Sequence, residues 1–166
     1  MKGIIRQNKV CLEQGLVLLE QITPELYRAQ HANAYGSTLG DHFRHVIEFY
    51  ITLFEGLESG LIDYGSRRRD PEISGDLDAA RRELRGQIRD LESIGDRQDR
   101  AVRVASEDPE APPSASSVAR ELNFLLSHTV HHFALIAFIC RSAHIALPEH
   151  FGVAPSTLRY QESLED

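Results

Sequence analysis

The chain is poor in several features that would announce a function. It has two cysteines in 166 residues, Cys11 and Cys140. Both fall inside apolar helical patterns and read as small buried core groups rather than redox centres. It has no excess of positive charge. The formal net charge is −7, which disfavours non-specific binding to nucleic acid or to an anionic membrane. No stretch reads as long enough to span a membrane, so no membrane partner is expected. The opening MKGIIRQNKVCLEQG places polar and acidic residues too early for the apolar core of a signal peptide. The expected compartment is the cytoplasm. There is no internal repeat, and PEAPPSASS is the one short biased linker. Gly36 and Gly40 do not make a phosphate-binding loop, because no strand precedes them. No serine or cysteine stands in a recognisable triad context.

What the chain does have is helical periodicity. Ile4, Cys11, Leu18 and Ile22, flanked by Ile5, Leu12, Leu16 and Leu19, predict a first helix over about residues 3–22. Pro24 ends it and starts a short helical turn through Tyr27. Residues 31–35 read as loop. Ser37 or Thr38 caps a second helix with Asp41 in its first turn, and Leu39, Phe43, Val46, Tyr50, Leu53 and Leu57 form its seam to about Ser59. Residues 60–75 read as a loop carrying Arg67, Arg68 and Arg69. Asp76 caps a third helix with Leu77, Leu84, Ile88 and Leu91 inward and a charged outer face. Residues 95–116 read as a polar connection in which AVRVA could be extended. Residues 114–117 launch a fourth helix that runs to about Ala143, and Pro155 starts one last turn. The fold class expected is therefore a single all-α domain over residues 1–166, a four-helix bundle with a long connection before the last helix. The short link between the first two long helices suggests antiparallel neighbours. The long links around the third permit a crossover.

The fourth helix contains ELNFLLSHTVHHFALIAFICR, an apolar run carrying His128, His131 and His132. Positions four apart lie about 6 Å apart along a helix and share a face, so His128 and His132 can reach one ion. Burying imidazoles in a Leu/Ile/Phe helix costs desolvation unless their nitrogens find partners. A facing helix 8–10 Å away brings His42 and His45 within reach, and two histidines plus one make a three-ligand site with an open position. By angle His42 sits nearer the seam centre and His45 on its flank. His144 lies too far along to share the ion, and His150 and His31 read as exposed or capping groups. Nitrogen-only ligation suits zinc, nickel, iron or copper. Glu121 reads as a capping or salt-bridging residue. The Arg67–Arg69 cluster reads either as a solvated loop or as an anion clamp at the mouth of the site. No catalytic residue is nominated by the pattern.

STLGDHFRHVIEF and SHTVHHFALI resemble the two metal-binding helices of the DinB-like (damage-inducible) superfamily. IDYGSRRRD and FGVAPSTLRY resemble an uncharacterised bacterial branch of it. The resemblance implies a bundle in which three histidines hold a divalent ion, most often nickel or zinc. It implies His45 as the second-helix ligand, since Val46 and Ile47 follow it, with His128 and His132 as the other two. His42 and His131 are then candidates for orienting the ligands from behind. The superfamily includes thiol-dependent S-transferases, a mycothiol-dependent isomerase and members of no known activity. The expected function is thus metal-dependent hydrolysis or S-transfer on a small molecule, with a low-molecular-weight thiol as a candidate partner. The alternative is a non-catalytic stress-response protein whose metal is structural. Many relatives carry Arg-Gly-Gln after the last histidine pair, where this chain has Phe133, Ala134 and Leu135. Superfamily members often pair through bundle faces, and Leu57, Leu61 and Ile62 suggest a homodimer here.

Overall fold

A computed structural model describes residues 1–31, 36–95 and 98–164. Its long helices are α1 (Lys2–Gln21), α3 (Leu39–Ser59), α5 (Leu77–Ile94) and α6 (Val118–Ser142), with three short ones, α2 (Pro24–Arg28), α4 (Pro71–Gly75) and α7 (Pro155–Glu162). Residues 32–35 of the loop expected after α2 lie outside the described residues.

The four seams meet as the periodicity predicts. Leu12 and Leu18 on α1, Phe43, Val46, Tyr50 and Leu53 on α3, Leu84 and Leu91 on α5, and Leu122, Leu125 and Ile136 on α6 are all fully buried. Each such side chain contributes about 1.5–3 kcal/mol relative to exposure, so apolar burial dominates the fold.

Helix direction follows from side-chain partners. The Asn8 amide donates to the Leu122 carbonyl, so the N-terminal part of α1 lies by that of α6, and Gly15 abuts Phe133 further on; the two helices are parallel. Lys9 pairs with Glu92, and Arg81 donates to the Leu19 carbonyl, so α1 and α5 are antiparallel. His45 opposes His128 while His42 opposes His132, so α3 and α6 are antiparallel as well. α3 and α5 therefore point the same way, and the connection between them is the crossover that the long links permit. α1 and α3 each pack along both α5 and α6, which puts α1 and α3 on a diagonal. Their antiparallel sense is as expected; as direct neighbours the expectation fails, because the apolar faces of α5 and α6 fill the flanks of both.

The crossover is more ordered than the loop expected there. β1 (Leu61–Ile62), a 3-10 turn (Tyr64–Ser66) capped by the Asp63 carboxylate, and α4 carry the chain back along α3. Gly40 permits this return: a Cβ there would stand 2.0 Å from the Ser74 carbonyl oxygen. Tyr27 donates to the Ile73 carbonyl at 2.7 Å and ties α2 to the same turn.

A small sheet closes one end of the bundle. β2 (Ala101–Val104) pairs parallel with β1 and antiparallel with β3 (Ser114–Ser117), giving the order β1-β2-β3. AVRVA is thus extended in its first four residues. Residues 114–117 do not belong to the last helix. They form β3, and the Ser117 hydroxyl accepts from Arg120 N–H to cap α6 at Val118. Ile62, read above as part of a dimer surface, is fully buried within β1, while Leu61 is exposed.

α6 is long and apolar enough to cross a membrane by length and composition, contrary to the expectation above, although 44% of its apolar window is buried inside the bundle. Here its apolar faces pack on α1 and α3. The short α7, where one terminal turn was expected, follows Ala154.

Candidate metal centre

The site lies where α3 and α6 face each other. α3 is set by a capping box: the Thr38 hydroxyl accepts from Asp41 N–H at 2.9 Å, and the Asp41 carboxylate accepts from Thr38 N–H at 3.0 Å. From that fixed start, one further turn carries His45 towards α6.

The structure brings His45, His128 and His132 together. One ring nitrogen from each forms a set lying within 4.8 Å of one another, and all three rings are partly exposed. His45 Nε2 stands 3.2 Å from His128 Nε2. Two nitrogens bound tetrahedrally to one zinc at 2.0–2.1 Å would stand about 3.4 Å apart, so this spacing matches a shared ion. Ring centroids are 4.9 Å apart for His45 and His128, 4.5 Å for His45 and His132, and 4.7 Å for His128 and His132.

The donor set is also in the right protonation state. Burial, aided by His128 and by the Arg67 and Arg44 guanidiniums, pushes His45 down to about 4. Burial, with His131 and Arg67, pushes His128 down to about 4. Burial and the surrounding histidines push His132 down to about 3. At neutral pH all three are uncharged imidazoles with lone pairs to give, which is what a cation needs.

His42, the other candidate on α3, is buried at 9% exposure and stands behind the triad. Its Nδ1 is 3.1 Å from His132 Nδ1, the place from which a neighbour fixes the orientation of a ligand ring. Burial lowers its pKa as well. Its Nε2 has no partner, and neither does His128 Nδ1. His131 is exposed and meets His132 edge-on at 5.2 Å. His144 falls beyond the end of α6, with φ 56°, and is exposed. His150 is exposed too and lies 3.4 Å from the Glu149 carboxylate. His31 is half-buried rather than exposed; its backbone N–H donates to the Ser37 carbonyl.

An aromatic wall covers one side of the triad. Phe49 lies 4.1 Å from the His128 ring and 4.8 Å from His45. Phe124 stacks on His128 at 5.6 Å, and Tyr64 stacks on Phe49 at 5.0 Å. Phe49 is four residues after His45 and Phe124 four before His128, so helical spacing could have found both. Tyr64 comes from the 3-10 turn, and no local pattern points to it. Its hydroxyl donates to the Glu121 carboxylate at 3.0 Å. Glu121 is fully buried, and Arg120 pairs with it at 2.9 Å, which makes it the salt-bridging residue expected. Within the arginine cluster, Arg68 and Arg69 are exposed and Arg68 pairs with Glu55. Arg67 is half-buried, with its guanidinium 4.3 Å above the Phe49 ring.

Phe133, which directly follows the last histidine pair, packs in the bundle core. Its ring is fully buried, stacked on Phe151 at 4.6 Å and tilted against Phe43 at 5.8 Å; it is a core residue that seats the tail segment.

Over 45 residues the chain is 47% identical to FK506-binding protein 5 of Rhizopus delemar, a match covering 27% of this chain and 12% of that protein. No solved structure gives a significant match. The model of the DinB superfamily matches residues 11–136, which include every histidine of the triad. With more than half of its length matched and a three-histidine group at the α3–α6 face, this chain belongs to the DinB superfamily.

Proposed function

We propose that His45, His128 and His132 hold one divalent transition metal ion, nickel or zinc, with a coordination position left to a small molecule. The observation that carries this is the convergence of three neutral imidazole nitrogens within 4.8 Å at a partly exposed face. We further propose that the chain is an enzyme of hydrolysis or S-transfer acting on a small molecule, with a low-molecular-weight thiol as co-substrate. When bound, such an ion lowers the pKa of a coordinated water or thiol, making a nucleophile near neutral pH.

The chain's own residues supply the rest. The triad gives three of four tetrahedral donors, and three-ligand sites of this kind are the catalytic type. His42 orients His132 through the Nδ1 contact. Phe49, Phe124 and Tyr64 exclude water from one side and leave the other for the substrate. Burial keeps the imidazoles uncharged, so the site meets an ion with lone pairs and no proton to expel.

The second reading is a structural one, a metal that staples α3 to α6. His42 favours it, because a buried histidine 3.1 Å from His132 is the obvious fourth protein ligand. X-ray absorption on the metal-loaded protein separates the two. Three nitrogens from histidine plus a light exchangeable ligand support the enzyme. Four histidine nitrogens and no exchangeable ligand support the staple and remove the open site.

We also propose a reducing compartment, the cytoplasm, since Cys11 and Cys140 are both free and buried. For the proposed homodimer, Leu61 remains an exposed apolar group at the end of α3. Sedimentation at micromolar concentration giving only the 18.7 kDa monomer would reject it.

A further inference from the structure

Three described arginines are not exposed: Arg44, Arg67 and Arg81. Arg81 is paired with Asp78 at 2.7 Å and Arg44 faces Asp41 at 3.5 Å. Arg67 has no carboxylate within 4.0 Å among the described residues. Its side chain donates to the Tyr64 carbonyl, and its Nε–H has no partner. Glu48 and Glu107 pull on it from further off, but one Glu48 oxygen is already taken by Asp70 N–H at 2.6 Å. A half-buried guanidinium without a counter-ion is costly, and desolvation weakens its hold on its own proton.

Its position gives that cost a use. The Arg67 guanidinium lies 4.3 Å over the Phe49 ring, and the same ring is 4.1 Å from His128 and 4.8 Å from His45. One phenyl group therefore touches the cation and two of the three candidate ligands. Arg67 thus sets one positive charge on the ring that walls the triad, and a bound cation would add to it. An anionic group on the incoming molecule answers both charges. Since Arg44 already has Asp41, one guanidinium fork is free, and it matches one planar, singly charged carboxylate.

Resting on the reading of the triad as a metal centre, we propose that Arg67 is a specificity-determining residue, taking a carboxylate of the small molecule that binds beside His45, His128 and His132. The substrate class is then a carboxylate-bearing small molecule, and a neutral thiol of the same size is the wrong partner.

The test uses the full chain loaded with cobalt(II), whose visible spectrum reports ligand exchange. Wild type is titrated with 3-mercaptopropionate and with its neutral isostere 3-mercaptopropionamide. The acid is expected to bind about ten-fold tighter or more, as a hydrogen bond to a charged group would give. In Arg67→Gln that preference falls below about two-fold, and in Arg67→Lys it lies between. Arg68→Gln, at an exposed position already paired with Glu55, keeps the wild-type preference. Equal binding of the two thiols by wild type, binding of neither by protein holding one equivalent of cobalt, or a preference that survives Arg67→Gln each overturns the role of Arg67. Inorganic phosphate competing more strongly than acetate overturns the carboxylate class. Wild-type protein that takes up no cobalt overturns the metal reading itself and the present one with it. Should Arg67→Gln lose its fold by thermal melting, Arg67→Lys carries the decision, with an unchanged preference counting against.

Discussion

Two polar clusters lie along the contact between α3 and α6, the first of them reaching across to α1, and they have opposite character. In the first, Tyr50 donates to the Asn8 side-chain carbonyl at 2.6 Å and shares a 3.2 Å contact with Thr129, while the Asn8 amide donates to the carbonyls of Ile4 and Leu122 at 2.8 and 3.1 Å. Every group in that knot has a partner inside the protein, and Asn8 and Tyr50 are fully buried. In the second, the imidazoles meet nitrogen to nitrogen, and His42 Nε2 and His128 Nδ1 have no partner. A satisfied buried network rigidifies a core. An unsatisfied cluster of lone pairs at a partly exposed face destabilises it, and a cation of the kind proposed would satisfy those lone pairs. The difference is between a closed network and an open donor set.

The comparison can be broken most sharply at the triad. His132→Ala is expected to reduce bound metal from about one equivalent to near none, read by elemental analysis of protein purified without a nickel column. His128→Ala and His45→Ala should do the same, and a His42→Ala protein should not. If either α6 variant keeps its full metal, the triad is wrong. None of the three should lower the melting temperature of the metal-free protein by much, because each removes a half-buried imidazole that lacks a full set of partners.

Tyr50→Phe should do the reverse. It strands the Asn8 carbonyl and the Thr129 hydroxyl in the core, at a cost of about 1–3 kcal/mol, while metal content stays at the wild-type level. Denaturant unfolding measures the first and elemental analysis the second. A Tyr50→Phe protein as stable as wild type would show the knot to be dispensable.

His42→Ala comes next. As a group behind His132, it should weaken metal affinity about ten- to a hundred-fold without removing a ligand, as a chelator competition would show. His131→Ala, at an exposed ring with only an edge contact to His132, should leave affinity unchanged. Equal losses in the two variants would erase the distinction drawn between them.

The pH dependence is the mildest effect, and its sign is fixed. In the folded, metal-free protein His45 and His128 titrate at about 4 and His132 at about 3, against about 6.5 in the unfolded chain. The unfolded state takes up protons first as pH falls. The stability associated with these groups is therefore complete above pH about 6.5 and lost progressively as pH drops towards about 4. Replacing His45 and His128 by Gln should flatten that slope in a series of urea melts between those limits. A slope unchanged in the double variant would mean that the histidines are not held neutral by burial.

Helix positions were legible because a 3.6-residue period writes a buried stripe directly into the sequence. Thr38, Asp76 and Ser117 cap three of the long helices, and short polar residues at helix starts signal that locally. The His128–His132 pair was legible for the same reason. The sheet was not. β1 has two residues and β3 is the polar run SASS, so neither carries an alternating pattern. Both exist because β2 supplies backbone partners from far along the chain.

The choice between His42 and His45 shows where local reading stops. Periodicity sees only the angle of each residue about its own helix, and by that measure His42 lies nearer the seam. The structure does bury His42 more deeply, and for that reason it sits behind His132, while His45 on the flank faces His128 at the exposed edge. Which flank meets α6 depends on how α3 is rotated against it. Amino-acid order by itself determined four helices, their buried faces and the set of histidines that could meet. Tertiary structure decided the diagonal placement of α1 and α3, the return of the crossover that brings Tyr64 and Arg67 onto the Phe49 ring beside the triad, and which α3 histidine faces that triad. Those outcomes depend on contacts between residues distant in sequence, and nothing in a single helix's pattern encodes its partner's position.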